Sequence, residues 1–374
     1  MPATAVRNEI IARCRRLVVK VGTNAICDAS GRLDCSAVEN LTGQIAAVVK
    51  SGRKVALVSS GAIGSGMGEL ALSARPKTMP QLQAAAAVGQ GRLMQAFHEA
   101  FARCGVKVAQ VLLTRDDFED RSRYLNIRNT LAALEEYGAL PIINENDTVA
   151  VEEIRFGEND VLAALVATML GAEVAVFLTG VDGVMKDGKI VDVITQVDDQ
   201  AMALVRADRS KLGSGGMASK LTAAAMVTRA GEVAVIANCS APRVLERLLA
   251  GEKLGTVFVP ARRRMTSRQR WIGQAARAAG RIVVDDGAAR ALVSGGKSLL
   301  PSGITAVAGR FERGDMIAVF DAAGREIARG LTNYSSQQID AIKGLKTSAI
   351  ARQLGEKPYD EVIHRNNMTV RKTD

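Results

Sequence analysis

The chain has 374 residues, 48% hydrophobic, 24% charged and only 3% aromatic, with a formal net charge of +10. That length suits two domains or one large α/β domain with an appendage. No apolar run reaches the ~18 residues of a membrane span and no charged-then-apolar leader opens the chain, so the sequence predicts a cytoplasmic protein without a membrane partner.

Six apolar runs of strand length follow in order: Leu17–Val21, Val55–Ser59, Val108–Leu113, Leu140–Ile143, Val174–Leu178 and Val233–Ala237. Between them lie amphipathic, Ala-rich stretches at Val38–Lys50, Leu82–Ala102, Asn126–Tyr137, Asp160–Leu170 and Met217–Ala230. Gly171 and Gly231 stand where the last two should be capped. Strands alternating with helices predict a doubly wound, mainly parallel α/β sheet over residues 10–258. After Pro260 the pattern changes. Residues 259–279 form a basic connector containing Arg262-Arg263-Arg264, Arg268 and Arg270. Short segments at Arg281–Asp285, Ile304–Val307, Met316–Phe320 and Glu326–Arg329, each bounded by Gly, Asp or Pro, predict a small β-barrel-like domain over 280–365.

The chemistry-bearing residues fall at the ends of these elements. Lys20 closes the first strand just before Gly22-Thr23, which puts a cation and an unhindered backbone at the sheet edge where α/β proteins bind ligands. The run from Ser59 to Gly68 holds four glycines after Ser60 and reads as a loop approaching a ligand, with Ser60 as a donor to carboxylate or phosphate oxygen. Asn144-Glu145-Asn146-Asp147 and Glu158-Asn159-Asp160 gather amides and carboxylates, with Arg155 nearby. Asp147 has the charge to hold an ammonium group, Asn144 and Asn159 can hydrogen-bond a small metabolite, and Asp160 is also placed to cap a helix. Gly213-Ser214-Gly215-Gly216-Met217-Ala218-Ser219-Lys220 is a glycine-rich turn entering a helix, with a lysine one turn in. Such a turn offers N–H groups and a cation to phosphate. Gly296-Lys297-Ser298 imitates a P-loop but has Ala291 where the first glycine belongs. Five widely spaced cysteines without a Cys-x-x-Cys pair make a disulfide framework or zinc site unattractive, and no metal ligand is assigned. With only His98 and His364, histidine catalysis is unexpected.

Taken in order, Val18–Thr23, Ser59–Ile63, Gln110–Arg115, Ile143–Asp147, Gly157–Asp160 and Gly213–Met217 resemble the amino-acid kinase family. The likeness is to its glutamate-phosphorylating branch. Val284–Ala288, Ser298–Ile304 and Arg313-Gly314-Asp315 resemble the PUA domain that follows in those enzymes. The resemblance implies ATP-dependent phosphorylation of the glutamate side-chain carboxylate to L-glutamyl 5-phosphate, the first step of proline biosynthesis, with Mg²⁺. It implies that Lys20 and Lys220 stabilise the transferring group and that Asp160 orients both. Ser60, Gly61, Asn144, Asp147 and Asn159 would bind the amino acid. Lys20, Gly22 and Thr23 would meet the phosphates, and Thr179, Gly180 and Ser214 to Lys220, with Gly215, Gly216, Met217, Ala218 and Ser219 between, would line the ATP site. It further implies a homo-oligomer (dimer or tetramer), glutamyl phosphate reductase as partner, and proline as feedback inhibitor. The chain departs from the family pattern at Thr179-Gly180 and Gly183-Val184-Met185, on the nucleotide side.

An already ionised carboxylate attacks phosphorus without a general base, which fits the scarcity of histidine. Two rival readings are an RNA-binding or RNA-modifying protein using the tail, and an acetylglutamate or carbamate kinase. Few aromatic residues for base stacking make RNA the weaker partner.

Overall fold

All six apolar runs are strands in the computed structural model, which describes residues 6–28, 32–150, 158–197, 216–260, 271–272, 278–355 and 358–371. They are β1 (Arg16–Val21), β2 (Lys54–Val58), β3 (Lys107–Leu113), β4 (Ala139–Glu145), β5 (Val174–Thr179) and β9 (Val233–Asn238). Between the last two come the short strands β6 (Met185–Lys186), β7 (Lys189–Ile190) and β8 (Val193–Ile194), and β10 (Thr256–Phe258) follows. One sheet has the order β3-β4-β2-β1-β5-β9-β10-β8, while β6 and β7 form a separate hairpin. The sheet is parallel except where β10 runs antiparallel to β9. Near-continuous Val, Leu and Ile runs suit strands covered on both faces: Leu17, Val18, Val19 and Val21 of β1 are all fully buried.

The helices are α1 (Cys35–Lys50), α2 (Ala62–Glu69), α3 (Met79–Arg103), α4 (Arg121–Glu136), α5 (Glu158–Leu170), α6 (Gly216–Arg229) and α7 (Val244–Leu249). From β1 the chain steps to β2 on one side, while β5 joins β1 on the other. The strand order therefore diverges at β1, and such a switch point opens a crevice beyond the strands' carboxyl ends.

The sequence reading of Ser59 to Gly68 as a loop is corrected here, since residues from Ala62 onward form helix α2. Their glycines serve helix packing. A Cβ on Gly66 would lie 1.8 Å from the Ala85 carbonyl oxygen, and one on Gly89 would lie 1.9 Å from that of Ala62. Backbones of α2 and α3 thus touch directly, offsetting the helix-propensity cost of glycine. Gly61 keeps its expected turn role with φ of 106° at the start of α2. Gly89→Ala should lower Tm by several degrees, since overpacking costs ~1–3 kcal/mol. Gly91→Ala, with nothing within 4 Å of its Cβ, should leave Tm unchanged or raise it. Calorimetry on both variants checks the pair, and equal shifts would refute the packing account.

The chain divides into two compact units, Met1–Asp117 with Ser122–Arg264, and Phe118–Arg121 with Met265–Asp374. In the second, β11 (Gly280–Val284), β12 (Ile304–Gly309), β13 (Met316–Phe320), β14 (Glu326–Leu331) and β15 (Met368–Val370) form a sheet ordered β12-β11-β13-β14-β15. The sequence reading missed the helices that accompany it, among them α8 (Asp286–Val293) and α9 (Ser336–Ile342). Each carries its own start signal: Asp285 accepts from the Ala288 N–H, and Ser335 forms a capping box with Gln338. Within this unit Trp271 donates to the Phe118 carbonyl at 3.1 Å and lies under the Arg121 guanidinium. The arginines of the basic connector lie outside the described residues.

Candidate active site

Lys20, next to last in β1, is 5% exposed, and Asp160, the third residue of α5, is 1% exposed. Lys20 Nζ lies 2.8 Å from Asp160 Oδ1. Lys220, in the first turn of α6, places its Nζ 3.1 Å from Asp160 Oδ2 and 3.0 Å from the Gly216 carbonyl oxygen. The Ser219 hydroxyl donates to the same Oδ2 at 2.6 Å. Asp160 is therefore not a helix cap, because its carboxylate is occupied by two ammonium groups and a hydroxyl. Burial alone would raise the Asp160 carboxyl, yet the charges of Lys20 and Lys220 outweigh it and hold the group below the usual carboxylate range. Burial pushes Lys20 down, with Asp160 opposing the shift and Lys220 adding to it. A buried triad of one anion and two cations carries a net positive charge in low dielectric, and that charge acts strongly on an incoming anion.

A neutral network lies nearby. Asn159 Nδ2 donates to Ser60 Oγ and to Asn144 Oδ1, both at 3.1 Å. Asn144 donates to Gln90 Oε1 of α3 at 2.7 Å, and the Glu145 N–H is received by Asn144 at 2.9 Å and Asn159 at 3.3 Å. Gln83, two helical turns before Gln90, donates to the Ala150 carbonyl at 3.2 Å. Asp147, in the turn between, is half-buried, and burial raises its carboxyl to about 6, with Arg75 pulling the other way.

The lysine–aspartate cluster, Ser60, Asn144, Asn159 and Asp147 line one cavity of about 320 Å³ at the carboxyl edge of the sheet. Of the residues singled out in the sequence, Lys20, Gly22, Thr23, Ser60, Gly61, Asn144, Asp147, Asn159, Asp160, Thr179, Gly180, Gly216, Ser219 and Lys220 line it. Met217 and Ala218 share the first turn of α6 but do not face the cavity, while Ser214, Gly215 and Arg155 lie outside the described residues. The sequence reading missed Arg75 as a lining group and Gln90 as a partner of Asn144, and it gave no individual role to Glu145 or to Ala62 to Gly64, which also line the cavity. It also gave Ser219 only a nucleotide role. Among the described residues no group of three His, Cys, Asp or Glu side chains could hold a metal, and no helix is long and apolar enough to cross a membrane.

A sequence profile of the Amino acid kinase family matches residues 15–238. The chain belongs to this family. A PUA domain profile matches residues 280–354, so the second unit of this amino acid kinase carries that module. A curated relative named Glutamate 5-kinase from Caldanaerobacter subterraneus subsp. tengcongensis is 48% identical, over 95% of this chain and 97% of its own. Another of the same name, from Moorella thermoacetica, is 46% identical over 96% and 97%. Among solved structures, carbamate kinase from Giardia lamblia bound to AMP-PNP is 21% identical with a TM-score of 0.48, covering 66% of this amino acid kinase and 99% of its own chain.

Proposed function

We propose that this protein transfers the γ-phosphoryl group of ATP to the side-chain carboxylate of L-glutamate, giving L-glutamyl 5-phosphate and opening proline biosynthesis. The observation that carries the reading is the pair of buried lysines held on one aspartate in a cavity that Asn144, Asp147 and Asn159 also line. Similarity to relatives named Glutamate 5-kinase over nearly the whole length supports glutamate over acetylglutamate or carbamate as acceptor.

The acceptor carboxylate is ionised at neutral pH and attacks the γ-phosphorus directly, forming the acyl–phosphate bond as the bond to the ADP oxygen breaks. Lys20 and Lys220 meet the charge spread over the equatorial oxygens, and Asp160 fixes both ammonium groups before substrate arrives, so little reorganisation accompanies transfer. Backbone N–H groups at Gly22 and at the start of α6 add donors. Ser60 and Asn159 position the attacking carboxylate, and Asp147 holds the α-ammonium group. Mg²⁺ would arrive on the phosphates of ATP and neutralise part of their charge. In this proposal the phosphoryl-transfer residues all lie in the first unit, the setting is cytoplasmic, and the enzyme is a homo-oligomer that passes its product to glutamyl phosphate reductase and responds to proline.

Glutamyl phosphate is trapped by hydroxylamine, so ATP- and glutamate-dependent hydroxamate formation tests the reaction. Absence of hydroxamate from the folded protein would reject it.

Asp147→Asn should raise KM for glutamate ~10- to 150-fold and leave KM for ATP unchanged, as expected for loss of a charge-assisted hydrogen bond. In the wild type, glutamate KM should climb as pH falls through about 6, because protonation removes the charge that holds the ammonium group. Stability moves the same substitution the opposite way. A carboxyl raised from 3.8 to about 6 contributes stability below the lower value that is lost as pH rises through the upper one. At neutral pH its ionised form therefore costs on the order of 2–3 kcal/mol, and ligand-free Asp147→Asn should melt above wild type. Thermal scans at acid and neutral pH would show whether the gain is confined to the higher pH.

A further inference from the structure

Arg75, on the segment between α2 and α3, belongs to no feature the sequence reading used, yet it lines the same cavity as Asp147. Three cations and three anions stand among the described lining residues: Lys20, Arg75 and Lys220 against Glu145, Asp147 and Asp160. Both lysines are engaged by Asp160. Arg75 forms no hydrogen bond or ion pair with a described residue, and neither does Asp147, although the positive charge of Arg75 acts on that carboxyl. Among the described residues the cavity thus presents a cation without a side-chain partner and an anion without one, close enough for the charge of Arg75 to act on Asp147.

An amino acid with an acidic side chain has three charged groups. Its side-chain carboxylate belongs beside the lysines, where phosphoryl transfer is proposed, and its α-ammonium group belongs on Asp147. The α-carboxylate then lies within a bond or two of the Asp147 contact and needs a cation, since it would otherwise face a like charge. We propose that Arg75 binds the α-carboxylate of the acceptor and, with Asp147, makes the enzyme select a complete zwitterionic head group. A planar guanidinium suits this task because it can grip both carboxylate oxygens at once. Arg75 is exposed, so its charge is solvated until the acceptor covers it. This inference rests on glutamate being the acceptor.

Two glutamate analogues separate the contacts. Glutarate keeps both carboxylates and lacks the ammonium group, whereas 4-aminobutyrate keeps the ammonium group and lacks the α-carboxylate. KM for glutamate and Ki for each analogue, as a competitive inhibitor against glutamate, would be measured on wild type, Arg75→Gln, Arg75→Lys and Asp147→Asn. Arg75→Gln should raise KM for glutamate and Ki for glutarate together by ~10-fold or more, leaving Ki for 4-aminobutyrate and KM for ATP unchanged. Arg75→Lys, keeping charge without the fork, should fall between. Asp147→Asn should show the crossed pattern, weakening 4-aminobutyrate and sparing glutarate. An unchanged glutamate KM in folded Arg75→Gln would overturn the proposal, as would equal weakening of both analogues, which would mark a structural role. The glutarate-selective loss appearing in Arg155→Gln in place of Arg75→Gln would transfer the contact to Arg155. Failure of the wild type to phosphorylate glutamate would instead remove the reading on which the inference stands.

Discussion

Lys20→Ala is expected to lower kcat by ~10²–10³ while KM for ATP changes little, the loss typical of one preorganised donor aimed at transition-state charge. The side chain ends 2.8 Å from Asp160 in a site almost closed to water, where its field is weakly screened. Ground-state binding of ATP draws on many backbone and side-chain donors, so one ammonium group contributes a minor share of it. The charge that develops on the γ-phosphoryl oxygens meets only the groups placed for it. Asp160 retains Lys220 and Ser219 as partners in the variant, which limits the structural damage. Lys20→Met, closer in volume, should behave like the alanine variant, and steady-state kinetics with ATP and glutamate varied separately would check both. A fall in ATP affinity with kcat preserved would place Lys20 in ground-state binding.

Asp160→Asn should do more damage, because it leaves two buried ammonium groups facing each other with no anion between them. Removing one member of a buried ion cluster commonly costs ~3–5 kcal/mol, and a loss of unfolding free energy of that order is expected. The rate should acquire a new pH dependence. Lys20 is already pushed down by burial and by Lys220, and Asp160 is the charge that raises it. Without that carboxylate its proton becomes easier to lose, so kcat of Asp160→Asn should decline as pH rises over a range where wild-type kcat is level. Chemical denaturation measures the first effect and a kcat–pH profile the second. Parallel profiles in the two proteins would show that Asp160 does not keep Lys20 charged.

Local signals made much of this legible in advance. Lys20 was visible because a buried strand, a terminal lysine and a glycine turn are contiguous, and Lys220 because glycines precede a helix start. Asp160 and Lys220 stand 60 residues apart, so their contact depends on α5 and α6 lying side by side, which no local pattern encodes. Helix α2 was misread because glycine-rich runs disfavour helix unless a neighbouring backbone needs the room, and that neighbour, Gly89 of α3, lies more than twenty residues away. Gln90 sits on an amphipathic helix among other polar residues, and Arg75 on a segment that reads as ordinary surface. Neither has a sequence feature that separates it from a solvated side chain. Strands β8 and β10 hold only two and three residues, too few for any alternation to register.

The long helix α3 has a mechanical consequence. Over 25 residues, about 38 Å at 1.5 Å per residue, it touches the Ala62 carbonyl through Gly89, grips Asn144 through Gln90 and ties down the Ala150 carbonyl through Gln83. An α-helix resists stretching, so these three points keep fixed spacings and the wall they support behaves as a single jaw. The lysine–aspartate–lysine cluster is assembled from β1, α5 and α6, with α5 packed against both of the others. Helix α5 carries Asn159 into the amide network and Asp160 into the lysine cluster one residue later, so a displacement of either wall is passed directly to the other.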